Sequence, residues 1–491
     1  MKKHVALLRL LCLLLTLCTF CALFAGCQNE GDPEKTDAKT TESTADLYDD
    51  EGYLKDQLPD NLKFNKAVRI VVSDNQKGQV YSLEETENVV QNAIYKRGLT
   101  VEERLGLEIE WIPKDATWNN NRTAFFQHIK STSDAGDAYD ACCLYNLMPG
   151  ALASMGYLEN LGGSKYLDLT APWWPDDFVN EIVINDTLYS LVENSSKGTL
   201  MNIHGTFFNE ALIESYGLTS PYEMVENNTW TFANMLTLVK GTYSDLNNNG
   251  TKDENDFFGV MTGTEAKIET WFYGMGNKYA TKNADGMPEM LMNDQTYMTN
   301  WLDEFTAATA SNDFLIWDKK GHTVAFFDER SILYMSAIRL VDGAVSKGIT
   351  MKYGVVPVPK KDSAQENYIT NVANSHDMWC VPLNAKDVEM SGAILECMAS
   401  EAYRQIAPVY FDQCIKLRYA PSAELAAMYD LIRSSVVFDF CSIYSFAFSQ
   451  VPRSVLHASA KNPQSTPWSS QWGAYGATYE AEFETILNLY Q

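Results

Sequence analysis

An α/β architecture with a largely parallel sheet is the fold class this sequence predicts, and two observations carry it. β-branched runs such as AVRIVVSD alternate along the chain with segments whose apolar residues recur at helical spacing. The 491 residues exceed what one hydrophobic core supports, so two or more domains are expected.

The elements follow in order. AVRIVVSD, ending at Asp74, reads as a buried strand with a turn after it. VVQNAIYKRGLTVEERLGLEIEWI has helical spacing, breaks at Gly106 and continues as a second strand. YDACCLYN is a third strand and GALASMGYLENL a helix. The same rhythm recurs in GTLMNIHGTFFNEALIESYGL, in the strand MKYGVVPVPK, and in MWCVPL leading into VEMSGAILECMASEAYRQI. No internal repeat is present.

The N-terminus reads as an address. MKKHVALLR is basic, LLCLLLTLCTFCALFA is apolar, and LFAGC resembles the lipobox of bacterial lipoproteins, with Ala25 and Gly26 before Cys27. Residues 1–26 are then a signal peptide and Cys27 the lipidated first residue of the mature chain, on the outer face of the cell membrane. Two or more acyl chains would hold it stably. Residues 28–60 hold eleven acids and three lysines, so 27–61 is expected to be an unfolded acidic tether. Folded sequence is expected from Leu62. The six mature-chain cysteines (Cys142, Cys143, Cys380, Cys397, Cys414 and Cys441) form no CxxC pair and read as small buried hydrophobes.

The order of the pieces NAIYKRGLTVEERLGLEI, LDLTAPWWPDDF, INDTLYSL, FFNEALIESYGL and YGVVPVPKKDSAQENY, with the helix from Glu389, resembles the extracellular solute-binding proteins of bacterial ABC importers, family 1. The resemblance implies the type 2 periplasmic-binding-protein fold: two α/β lobes, a hinge and a ligand cleft between them. It places lobe one at 62–192 with 357–402, and lobe two at 193–356 with 403–491. It also implies a monomer that delivers a solute, most often a sugar, to permease subunits.

Sugar sites combine aromatic platforms with polar groups that fix hydroxyls. Trp271 and Tyr273 lie where relatives carry stacking aromatics. Asp74, Asn75 and Asn146 end strands, where open α/β sheets hold ligands, and Trp379 returns to lobe one. Core packing is the competing reading for each aromatic, and a turn or helix cap for each polar residue.

DLNNNGTKDEND has the spacing of a calcium loop. Asp245, Asn247, Asn249, Thr251 (through its carbonyl), Asp253 (through water) and Asp256 would be ligands, with Gly250 at the sharp turn. Step 12 is Asp rather than Glu, which weakens bidentate reach, and no second loop or exiting helix follows. A structural calcium ion is the expectation, against the competing reading of an ion-free surface turn.

A formal charge of −26 argues against nucleic acid as partner. No nucleophile elbow, HExxH pair, phosphate loop or dinucleotide fingerprint occurs, so no catalytic residue is assigned. Two other readings stay open. One is the same fold with a peptide, polyamine or nucleoside as ligand; the other is a secreted polysaccharide-acting enzyme stabilised by calcium.

Overall fold

The computed structural model describes residues 47–116, 121–264, 266–317, 322–418 and 422–491. Two sheets organise the chain from Asp49 onward. The first comprises β1 (Lys66–Ser73), β2 (Leu107–Lys114), β3 (Ala141–Tyr145) and, from far downstream, β9 (Asp377–Cys380), in the order β9-β3-β1-β2. The second comprises β4 (His204–Asn209), β5 (Phe258–Gly263), β6 (Phe314–Trp317), β7 (Ser331–Ala337) and β8 (Tyr353–Val356), in the order β8-β4-β7-β5-β6.

Each sheet is mixed. β1 runs parallel to β2 and β3, while β9 is antiparallel to β3, pairing Asp377 with Tyr145 and Cys380 with Cys142. β5 is parallel to β6 and β7, while β4 is antiparallel to β7 and β8. β1 is central and buried through its second half, which explains the β-branched run Ile70–Val71–Val72 there.

Helix α1 (Val89–Leu105) shows how local sequence sets the boundaries. The Asn88 side chain accepts from the N–H groups of Val90 and Gln91, and Gly106 ends the helix at φ 63°, a left-handed conformation a side chain would strain. Its buried face includes Val90, Ile94, Arg97, Val101 and Leu105. The other helices that frame the site are α2 (Leu147–Ser154), α3 (Ala266–Gly274), α4 (Gln295–Ala310), α5 (Val388–Glu401), α6 (Ala423–Ser434), α7 (Val451–Lys461) and α8 (Trp468–Leu487).

The chain passes between the sheets repeatedly. α5 packs on α1 beside the first sheet, whereas α6 packs on β8, and α7 and α8 pack on α4. The connectors meet at a short parallel pair, Thr370–Asn371 with Val436–Val437, next to a bridge between Ile203 and Val372.

The expected tether is shorter at its C-terminal end. From Asp49 the chain docks on the folded body: Tyr53 meets Tyr403 edge-on at 5.7 Å, and Leu58 is buried. Asp56 is buried too and pairs with Arg104 at 3.2 Å and Arg404 at 3.7 Å. Composition suggested solvation, but the balancing arginines lie far downstream. Residues 27–46, with Cys27 and the signal segment, fall outside the described residues.

Cys142, Cys143, Cys380, Cys397, Cys414 and Cys441 are buried and form no disulfide. Trp173 and Trp174 are buried, and their indoles donate to the two oxygens of Glu396 on α5, at 3.1 and 3.0 Å. Burial pushes the Glu396 carboxyl up to about 8 from its ordinary 4.5. The native protein therefore binds one more proton than the unfolded chain between those pH values, and this group's contribution to stability falls as pH rises from about 4.5 to about 8. Replacing Glu396 with Gln removes a titration worth up to about 1.4 kcal/mol per pH unit. Chemical unfolding at pH 5, 6.5 and 8 should show a flatter slope for the variant, and an unchanged slope would assign the effect elsewhere.

Candidate functional site

A cavity of about 510 Å³ lies between the C-terminal ends of strands from both sheets. From the first lobe come Tyr145, the last residue of β3, and Leu147 at the start of α2. From the second come Thr264, just past β5, Lys267 on α3, and Arg339, two residues beyond β7. Ala373, Asn374 and Ser375 cross the cavity on the connector into β9, and Gln450, Arg453, Ser454 and His457 close it from α7 and its cap. Its size falls within the roughly 300–1,000 Å³ usual for small-ligand sites.

The first-lobe wall is aromatic. Tyr145 stacks loosely on Phe446, with ring centres 6.5 Å apart and planes at 25°. The floor is polar and wired across the hinge. The Asn374 amide oxygen accepts from both Nη atoms of Arg453, at 2.6 and 3.2 Å, and the Arg453 Nε lies 3.0 Å from Glu269. Glu269 also accepts from the Tyr279 hydroxyl at 3.1 Å. Arg339 donates from Nη1 to Ser375 at 2.6 Å and to Asn202.

The charge around this floor is positive. Burial, reinforced by the cations Arg453 and Lys461, holds His457 well below its ordinary range. Burial acts the same way on His204, with Lys267 and Arg339 adding to it. Ser449 and Gln450 adopt φ 51° and 59°, left-handed values that cost a non-glycine residue about 1–2 kcal/mol. Such strain clusters at ligand sites, and here it sets the start of α7 against the cavity.

The residues expected from sequence are placed differently. Trp271 is fully buried in the second lobe, donating to Thr262 at 3.2 Å and packed against Phe232 and Phe314. Tyr273 is buried beside Phe272 and Tyr279, and Trp379 is buried on β9 facing Glu193. These three rings are core, because α3 and β9 are covered on both sides and leave no open face for a platform. Asp74 and Asn75 are exposed in a single helical turn after β1, with Asp74 paired to Lys77 at 3.0 Å; neither lines the cavity. Asn146 is buried under the floor, its amide 3.4 Å from that of Asn374.

Sequence reasoning landed one residue past Tyr145, on Asn146. It also missed Arg339, whose only local signal is a cation just after the apolar run ILYMSAI. Arg453 and Gln450 carry no local signal.

The loop Asp245–Asp256 folds around its own side chains. Asp245 accepts from the Gly250 N–H at 2.8 Å, and Gly250 takes φ 74°. The amides of Asn247 and Asn249 converge on the Asp253 carboxylate, at 3.2 and 2.6 Å. Asp256 is buried and accepts from Leu246, Asp253 and the Tyr243 hydroxyl. The loop is thus closed by its own N–H groups: the Asn247 and Asn249 amide nitrogens face Asp253, their oxygens and those of Asp245 accept from the backbone of Asn249, Gly250 and Thr251, and Asp256 ties the loop ends.

No protein-family model matches the chain, and no curated protein sequence matches it. Solved structures do. A cyclo/maltodextrin-binding protein complexed with maltotetraose superimposes with TM-score 0.55 at 13% identity, over 88% of this chain and 98% of that one. The GacH receptor of Streptomyces glaucescens, solved unliganded and with acarbose and an acarbose homolog, matches with TM-score 0.50 at 12% identity, over 86% of this chain and 99% of that one. The fold is that of a two-lobed periplasmic binding protein. The two matched proteins are a binding protein and a receptor.

Proposed function

We propose that the chain is a lipid-anchored extracellular binding protein that captures a carbohydrate in this cleft and delivers it to an ABC permease. One observation carries the reading: a cavity bounded by both lobes, crossed by the hinge connector, with an aromatic wall at Tyr145 and amide and hydroxyl groups opposite. Ligand touching both lobes binds the closed form better and draws the hinge shut. The solved binding proteins of this fold support a sugar as the solute. Among the described residues no carboxylate lines the cavity, whereas glycoside hydrolysis needs a facing pair.

The test is a thermal-shift screen against mono- and oligosaccharides. A ligand at ~100 times its dissociation constant stabilises by about 2.7 kcal/mol. Stabilisation by amino acids, peptides or polyamines but by no saccharide would overturn the carbohydrate assignment.

Anchoring through Cys27 is part of the proposal. Cys27→Ala protein should take up no labelled fatty acid in cells yet fold normally; persistent labelling would refute it. Calcium in the 245–256 loop is proposed as a structural clip, supported by the spacing of acidic and amide side chains in DLNNNGTKDEND. Binding to the folded state alone stabilises by mass action. A chelator should therefore lower the melting temperature of the wild type but not of Asp245→Ala, and an identical wild-type melt with and without chelator would leave the loop ion-free.

A further inference from the structure

We propose that the ligand is an anionic saccharide, carrying a carboxylate or sulfate group that Arg339 receives in the cleft. This rests on the carbohydrate reading and names its substrate class.

The chain as a whole carries −26, yet the cleft has the opposite sign. Its described lining includes Lys267, Arg339 and Arg453 and no Asp or Glu. Arg453 is answered by Glu269 at 3.0 Å. Arg339 is not answered by any acid among the described residues. Its hydrogen bonds go to two neutral oxygens, on Asn202 and Ser375, and both leave from Nη1. Burial disfavours its charge, and the titratable groups around it are the phenols of Tyr334, Tyr145 and Tyr410.

A guanidinium has five N–H donors, and the edge formed by Nε and Nη2 is the one that receives a carboxylate by two parallel bonds. That edge of Arg339 has no protein partner among the described residues. A half-buried cation without a counter-charge is costly, and an anion entering the cleft would supply it. A neutral sugar would offer the same edge only neutral hydroxyls, whose hydrogen bonds are roughly half as strong as charge-assisted ones.

The remaining lining says what carries the charge. A cavity of about 510 Å³ is far larger than a lone inorganic anion needs. The ring of Tyr145 suits the apolar face of a sugar, and Asn374, Ser375 and Gln450 suit its hydroxyls.

The experiment is calorimetric titration with galacturonate di- and trisaccharides, a sulfated disaccharide, neutral oligosaccharides of the same length, and inorganic sulfate. Wild type, Arg339→Gln and Arg339→Lys are compared at low salt and 0.5 M salt. An acidic saccharide should bind at least about ten-fold tighter than its neutral counterpart, since one hydrogen bond to a charged group is worth that much. The preference should shrink at high salt and fall to about three-fold or less in Arg339→Gln, with partial retention in Arg339→Lys, which keeps the charge but loses the fork. The uronate and sulfate arms identify the anionic group.

Equal or tighter binding of neutral saccharides overturns the inference and leaves the carbohydrate reading standing. An undiminished preference in Arg339→Gln overturns the role of Arg339. Binding of inorganic sulfate alone, or of no saccharide, removes the carbohydrate reading as well. Should Arg339→Gln fail to fold, the wild-type preference and its salt dependence decide.

Discussion

Replacing Arg97 with alanine is expected to cost about 3–5 kcal/mol of folding stability, the range for breaking a buried ion pair by removing one partner. Arg97 on α1 is 1% exposed and Glu193 is fully buried, with Nη1 and Oε2 3.1 Å apart. Arg97 also donates to the carbonyl of Val80, so it ties α1 to the chain just before it. Burial pushes the Glu193 carboxyl up to about 7 even with the guanidinium beside it, and the neighbouring Asp377 adds to the rise.

Without Arg97 the carboxyl has lost its main charge partner and escapes by protonating. The loss should therefore be larger at pH 8 than at pH 6. Urea unfolding of wild type and variant at both pH values checks the size and the direction. Pairing Arg97→Met with Glu193→Leu should recover much of the loss, because two apolar side chains leave no buried charge behind. A cost below about 1 kcal/mol would mean that water reaches the pair, as it does at exposed bridges.

Trp271→Ala should cost about 3–5 kcal/mol of stability and leave ligand affinity per folded molecule unchanged. Trp271 fills a space bounded by Phe232, Phe314 and β5, and none of its ring lines the cavity. Removing it opens a void that the close-packed aromatic cluster around α3 and α4 cannot refill. Unfolding and saccharide affinity measured on the same purified variant separate the outcomes. A stable variant with weakened binding would return Trp271 to the ligand site and refute its place in the core.

Much of the element plan was legible. AVRIVVSD became β1, YDACCLYN became β3, and the break read at Gly106 ends α1, whereas its N-cap at Asn88 was not read. These signals are local: β-branched runs suit a buried strand, an Asn side chain satisfies the first free N–H groups of a helix, and a glycine tolerates the left-handed turn that ends one. The site was legible only at its edge. Asn146 lies under the cavity floor, next in sequence to Tyr145, which lines it.

What the sequence by itself determined is the alternation of strands and helices, the strongly acidic charge balance and the tight turn at Gly250 in the 245–256 loop. Each depends on residues within a few positions of one another. Tertiary structure decided which side chains face ligand. Arg339, Asn374 and Arg453 come from three separate segments and meet only because β7, the hinge connector and α7 end at one place. It also decided which aromatics do not face ligand. The pattern ETWFYGMG is apolar almost all round, and only the covering of α3 by its neighbours shows that both Trp271 and Tyr273 point into core. Burial and charge pairing are sums over the whole packed chain, so no local window contains them.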